Sequence, residues 1–316
     1  MKTEQAVSQG HDVALRTPRT GQRAVPIVWL NLVCLDAPLV AVAWLWIFAR
    51  TFRVPLQIGN AVALFLTAWL IYLADRFVDS SSLKPNSPHS LRQDFCRRHR
   101  VVWIASVALI VGFDAYVIWR TTAVQTFVAG AVVGILALIY LVVNHPLGLV
   151  WRSLPAKELA IGTLFAAGTI VALLPRVPLT PECALAAVSF AALCSLNCIS
   201  IARWECELDR AQRKVSIATR HPRAVQYIGR ICVFLTLAVF AAAIVFRSEA
   251  PIFVCIGVSA LLLTWLNAPE NKEGRFTNRP RRFVNRRSLA VGDDSRTALA
   301  DLVLLTPLVL LIVAAL

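Results

Sequence analysis

The chain has 316 residues, 58% of them hydrophobic, with a mean hydropathy of +0.66 and a formal net charge of +14 from 32 basic and 18 acidic residues. A soluble domain of this length needs far less apolar sequence, so composition excludes an ordinary soluble globular protein. A nucleic-acid role is excluded too, because no polar segment exceeds about 30 residues, too short for a folded basic domain.

Residues 1–24 are polar, rich in Ser, Thr, Pro and Arg, and read as a disordered cytosolic tail rather than a secretory signal. The remainder, 25–316, reads as one membrane domain. Apolar runs of roughly 18 to 25 residues match the thickness of a bilayer core. They are centred in 26–48, 54–74, 101–119, 122–144, 158–175, 181–202, 226–246, 250–267 and 298–316. The expected fold class is therefore all-α, a polytopic membrane protein with nine transmembrane helices. With the N-terminus in the cytosol, the cytosolic segments hold 27 Lys and Arg residues and the opposite side holds 5, namely Arg50, Arg53, Arg120, Arg176 and Arg247. That bias is what the positive-inside rule predicts, and it puts the C-terminus on the far side. The excess charge thus serves topology first and contact with anionic membrane lipids second.

Along the chain, the second span, AWLIYLADRFVDSSS at 68–82, runs into Asp75, Arg76 and Asp79. Carboxylates four residues apart share one helical face, about 6 Å apart along the axis. The segment SSSLKPNSPHS at 80–90 is rich in turn formers and reads as a mobile lid, with His89 and His99 in the same loop. Asp114 lies in the third span, and Gly130 and Gly134 in the fourth form a GxxxG pair, the signature of a close helix contact. The sixth span ends in RWECELD at 203–209, where Glu205 and Asp209 repeat the i, i+4 spacing and Glu207 faces elsewhere. Cys194, Cys198 and Cys206 keep a helical spacing without an accompanying histidine, so packing accounts for them better than zinc. His145 and His221 each precede proline and mark turns. The basic stretch at 268–297 suits the membrane surface.

Two acidic pairs at matching cytosolic ends, four spans apart, suggest a common task. Like charges that close raise each other's pKa, and a divalent cation removes the conflict. Mg²⁺ takes oxygen ligands, commonly one or two carboxylates together with substrate phosphates. Asp75, Asp79, Glu205 and Asp209 therefore form a candidate site, both metal-binding and catalytic, for cleaving a carbon–oxygen bond to a diphosphate. Arg76, Lys84, Arg203, Arg210 and Lys214 are placed to share the phosphate charge.

This layout resembles the UbiA superfamily of intramembrane prenyltransferases. The family's first motif, NxxxDxxxD, corresponds here to Ile71, Asp75 and Asp79. Its second, YxxxDxxxD, corresponds to Ile201, Glu205 and Asp209. LDAPL at 35–39 is similar to the family's Asp-Lys-Pro segment, with Ala37 where lysine is usual. The stretch 140–169 is similar to the passage from the fourth to the fifth helix, with Lys157 near a basic position. Tyr72 follows the missing asparagine, and Asn197 lies one turn before Ile201. The resemblance implies a UbiA-like bundle and Mg²⁺-dependent transfer of a prenyl group from an isoprenoid diphosphate to a hydrophobic acceptor, often an aromatic ring. Arg76, Lys84, Lys157, Asn197, Arg203 and Lys214 would bind substrate.

Other readings make different demands. A phospholipid head-group transferase would carry DGxxAR, but Asp79 is followed by Ser80, Ser81 and Ser82. A secondary transporter would rely on ionisable residues within the spans, here Asp36, Asp114 and Asp301. A non-catalytic scaffold would be indifferent to Mg²⁺ and to loss of the acidic pairs.

Overall fold

The computed structural model describes residues 26–82, 89–144, 157–177, 180–268 and 296–315. The expected N-terminal tail, most of the 80–90 and 268–297 segments, Lys84 and His145 lie outside the described residues. Among the described residues every regular element is helical. In chain order these are α1 (Pro26–Leu32), α2 (Asp36–Thr51), α3 (Ile58–Ser81), α4 (Leu91–Arg98), α5 (Arg100–Thr121), α6 (Val124–Asn144) and α7 (Lys157–Ile170). There follow α8 (Pro181–Trp204), α9 (Cys206–Gln212), α10 (Ile217–Arg220), α11 (Pro222–Val225), α12 (Ile228–Val245) and α13 (Ala250–Leu266). Residues 296–303 are helical, and α14 spans Thr306–Ala315.

Five of these helices, α3, α5, α6, α8 and α12, are long and apolar enough to cross a membrane. The other four expected spans are shorter or interrupted. α13 has 17 residues, α7 has 14 and then passes into turns, and the last span is broken near 304–305. The first span divides into α1 and α2. Pro38 explains that division: it has no N–H to donate, and its ring would collide with the carbonyl of Cys34 in a continuous helix. Cys34 adopts a left-handed backbone (φ 58°), and α2 restarts at Asp36, whose Oδ1 accepts the Ala37 N–H at 2.9 Å.

α2 and α8 form the centre. Trp44 and Phe190 stack at 4.4 Å, and the Trp44 indole N–H donates to the Leu304 carbonyl at 2.7 Å. Ile252, Phe253 and Ile256 of α13 close this cluster. A second cluster joins α3, α4 and α5 through Leu66, Leu73, Cys96, Trp103 and Ile110. α5, α6 and α12 turn apolar side chains outward, among them Leu109, Trp119, Ile135, Leu138, Phe234 and Leu237. Outward-facing apolar side chains of this kind are what a membrane-crossing helix presents to lipid.

Among the described residues the close helix contact expected at Gly130 and Gly134 is not there: none of them comes within 4 Å of where a Cβ would stand at either. The tight crossing is at Gly162 of α7, where a Cβ would overlap the backbone of Ser195 on α8. α6 instead presents its glycines to a cavity.

Candidate functional site

Between the two core clusters lies a cavity of about 530 Å³, walled by α3, α6, α7 and α8, with contributions from α2, α5 and the 296–303 helix. It touches Asp79 at one end of α3 and Asn60 at the other, nineteen residues away, or about 28 Å along the helix. Most of its length is apolar, with Leu64, Ile71, Phe127, Ala137, Ile161 and Phe165 among the lining. Gly130 and Gly134 leave it open on the α6 side.

Its charged end gathers what two distant stretches of sequence supply. Asp75, Arg76 and Asp79 come from the last turns of α3, Glu205 and Asp209 from the α8–α9 junction. All four predicted acids line this one cavity. The second pair straddles a helix end, since Glu205 caps α8 and α9 begins at Cys206. The i, i+4 relation survives the break because the Asp209 N–H still bonds the Glu205 carbonyl at 2.8 Å.

Lys157, Asn197, Arg76 and Lys214 also line the cavity, as expected. Arg203 does not: its guanidinium donates to the Asn267 carbonyl (3.4 Å) and Oδ1 (3.3 Å), fastening α8 to the end of α13. The reason is helical phase, since Arg203 sits two residues before Glu205 and so faces another side. Arg210 pairs with Glu207 at the exposed surface, away from the cavity. Neither His89 nor His99 lines the cavity, and the His99 ring lies against Phe95 at 4.7 Å.

Two short helices lean over the charged end. α4 is started by a capping box in which Ser90 Oγ accepts the Gln93 N–H (3.4 Å) and Gln93 Oε1 accepts the Ser90 N–H (3.0 Å). From α4, Arg92 forms an ion pair with Glu205, and Gln93 donates to Asp79 Oδ2 at 3.0 Å. From beyond α9, Lys214 donates to Asp79 Oδ1 at 2.5 Å, while Gln212 donates to Gln93 Oε1 at 2.9 Å. The chain reverses here through Arg213, in the left-handed region at φ 58°. Each acidic motif is thus held by a cation from a different loop.

Sequence reading missed several cavity residues: Arg92, Glu158, Asn31 and Ser216, besides Asp36 and Asp301, which it considered only for transport. Glu158 accepts the Ile217 N–H at 3.0 Å, and its other oxygen is buried without a hydrogen-bond partner among the described residues. Glu158 was legible only as an acid at the start of an apolar run; Arg92 carried no signal beyond its charge.

Electrostatics at this end are strained. Burial, and then the neighbouring Glu205, raise the Asp209 carboxyl to about 6, against a contribution from Ser216 that lowers it. The Nε atoms of Arg76 and Arg92 are buried donors with no hydrogen-bond partner among the described residues, in side chains that line the cavity. Unpaired buried donors cost free energy, and an anion would satisfy them.

Among the described residues no three acidic, Cys or His side chains are gathered as a metal cage. Mg²⁺ seldom uses one: a carboxylate or two, completed by substrate phosphates and water, is its ordinary shell. Asp75, Asp79, Glu205 and Asp209 line one cavity, with Asp79 and Glu205 engaged by Lys214 and Arg92, so a metal here would have to arrive with a phosphate-bearing ligand rather than be held by protein alone. No family model matches the chain, and neither a curated protein nor a solved structure matches it.

Proposed function

We propose that the protein is a Mg²⁺-dependent intramembrane prenyltransferase with a UbiA-like bundle of nine crossings, its charged cavity end at the cytosolic face and its C-terminus opposite. The observation that carries this reading is the division of a single cavity. One end presents acids from two helices together with two arginines whose Nε donors have no partner among the described residues, and most of the remaining lining is apolar, in a cavity whose whole span along α3 is about as long as a bilayer core is thick. An isoprenoid diphosphate has the same division.

Asp75, Asp79, Glu205 and Asp209 would hold the metal. When bound, Mg²⁺ supplies neutralisation of the charge that develops on the departing diphosphate. Arg76 and Arg92 would donate to phosphate oxygens through the Nε groups now unpartnered, with Lys157 and Lys214 adding positive charge. The carbon–oxygen bond breaks with its electron pair leaving on diphosphate, and the allylic carbon joins a hydrophobic acceptor that gives up a proton. α4 and α9 cover the mouth and keep water from that carbon. Ile71 and Ile201 line the cavity where the family carries Asn and Tyr, so metal orientation here falls to the carboxylates and to Gln93.

A transport reading would rest on Asp36, Asp114 and Asp301, of which Asp36 and Asp301 line the cavity. Asp114, the candidate deepest within a span, accepts a bond from Thr67 at 2.7 Å and is not among the residues lining the cavity. The test is diphosphate release by purified protein in detergent, given radiolabelled prenyl diphosphates and Mg²⁺. Asp75→Ala and Asp209→Ala should abolish most of it; release equal to that of the unmodified protein would end this reading.

A further inference from the structure

The cavity is polar at its far end as well as at its mouth. Opposite the acids, the first turn of α3, the junction of α5 with α6 and the last turn of α7 supply Asn60, Thr122, Thr126 and Thr169 to the lining. Chain direction explains the gathering. α3 ends at the mouth and α5 starts there after α4, so the start of α3, the end of α5 and the start of α6 all fall at the opposite end. α3 and α5 touch at that end, since a Cβ on Gly59 would overlap the Thr121 side chain. Asn60 stands fifteen residues before Asp75, about 22 Å along α3. A diphosphate held by the acids does not reach it.

These side chains are short of partners. Asn60 is 5% exposed, yet its Oδ1 is buried without a hydrogen-bond partner and its Nδ2 donates to none of the described residues. Thr126, also buried, makes no side-chain hydrogen bond among the described residues. Thr169 gives its proton to the Phe165 carbonyl at 2.8 Å, which leaves its oxygen able to accept. A buried amide satisfied at neither edge costs free energy that a matching ligand recovers.

Charge and bonding capacity narrow the ligand. No acidic or basic residue that lines the cavity belongs to the first turn of α3, the α5–α6 junction or the last turn of α7. Asp114 of α5 is bonded to Thr67 and does not line the cavity. A carboxylate or an ammonium would therefore arrive without a counter-charge. A ketone or an ether only accepts, and would leave the Asn60 oxygen bare. A hydrocarbon terminus answers none of these groups. A hydroxyl donates and accepts through one small neutral group, which suits a mixed set of open donors and acceptors.

We infer that the far end of the cavity binds a hydroxyl at the terminus of an apolar chain whose other end is a phosphate at the mouth, so that the preferred ligand is polar at both ends. That the chain is an isoprenoid rests on the prenyltransferase reading; the hydroxyl site does not. The hydroxyl donates to Asn60 Oδ1 and accepts from Thr126, with the chain running along Leu64, Phe127 and Phe165.

The experiment is native mass spectrometry of the full chain in detergent, with hexadecyl phosphate and ω-hydroxyhexadecyl phosphate at equal concentration. Bound protein should favour the hydroxylated chain by about fivefold, the worth of one net hydrogen bond. Asn60→Leu should remove that preference and bind hexadecyl phosphate more tightly than the unmodified protein does, a gain that misfolding cannot imitate. Thr126→Val should lower the same ratio if the first variant does not assemble. Equal occupancy by the two phosphates would mean that water satisfies Asn60; that result, no occupancy by either, or a ratio unchanged by both variants overturns the inference. Geranylgeranyl diphosphate with Mg²⁺, measured in parallel, separates the two claims: its failure to bind would end the prenyl reading, and the phosphate pair would still decide the hydroxyl site.

Discussion

Replacing Arg92 with Met removes one charge while keeping most of the volume, and it isolates the coupling between α4 and the second acidic motif. The Arg92 and Glu205 side chains are 9% and 19% exposed, so their ion pair is largely shielded from water. Thr297 adds only a long hydrogen bond to the same Glu205 oxygen, at 3.3 Å. Removing one partner of a buried pair leaves the other charge uncompensated and costs about 3–5 kcal/mol. For a chain of this size that loss lowers the thermal midpoint by roughly 10 °C. Mg²⁺ should return part of it, because the freed carboxylate becomes a better ligand. At a hundred times its dissociation constant a metal contributes about 2.7 kcal/mol. The assay is thermal unfolding in detergent, with and without Mg²⁺, for the unmodified chain and Arg92→Met. Equal midpoints for the two proteins without metal would refute the reasoning, since Glu205 would then have to be solvated. Equal stabilisation of both by Mg²⁺ would refute its metal half.

Other outcomes follow from the same geometry. The Asp209 carboxyl rises from 3.8 to about 6 on folding, so the native state holds a proton that the unfolded chain releases in that interval. The stability this contributes is present below pH 3.8 and lost as pH rises through 6, a change of about 3 kcal/mol; Asp209→Asn should flatten the slope in thermal midpoints taken across that range. Gly162→Val should prevent α7 and α8 from closing and cost more than the ~1–3 kcal/mol of ordinary overpacking, seen as loss of monodisperse protein on size exclusion. Gly134→Val should leave assembly intact but narrow the cavity, weakening a long prenyl diphosphate more than a short one in competition binding. Asp79→Asn should loosen the mouth by releasing Lys214 and Gln93, read as faster hydrogen exchange in α4.

The acidic motifs were legible because their message is local. Four residues make about one helical turn, and a carboxylate pair at the end of an apolar run announces itself at any such position. The relation even persists across the break at Glu205, because one backbone hydrogen bond preserves it. The GxxxG pattern misled for the complementary reason. Small residues permit a close crossing but do not require one, and whether Gly130 and Gly134 meet a helix or a void depends on where α6 lies. Gly162, which stands in a small-xxx-small run with Ala166 rather than in a GxxxG, makes the contact.

Sequence alone determined that the chain is helical and carries segments long and apolar enough to cross a membrane, since hydrophobic length is summed along the chain and needs no partner. It also determined which acids to watch. Only the tertiary structure decided that Asp75, Asp79, Glu205 and Asp209 face one cavity, that Arg203 turns away to Asn267, and that Arg92 and Lys214 hold the acids from above. It alone brought Asp301 to Asp36 and Asn31. Those pairings join residues as far as 270 positions apart, and nothing in either local segment specifies the other; packing of the helices between them does.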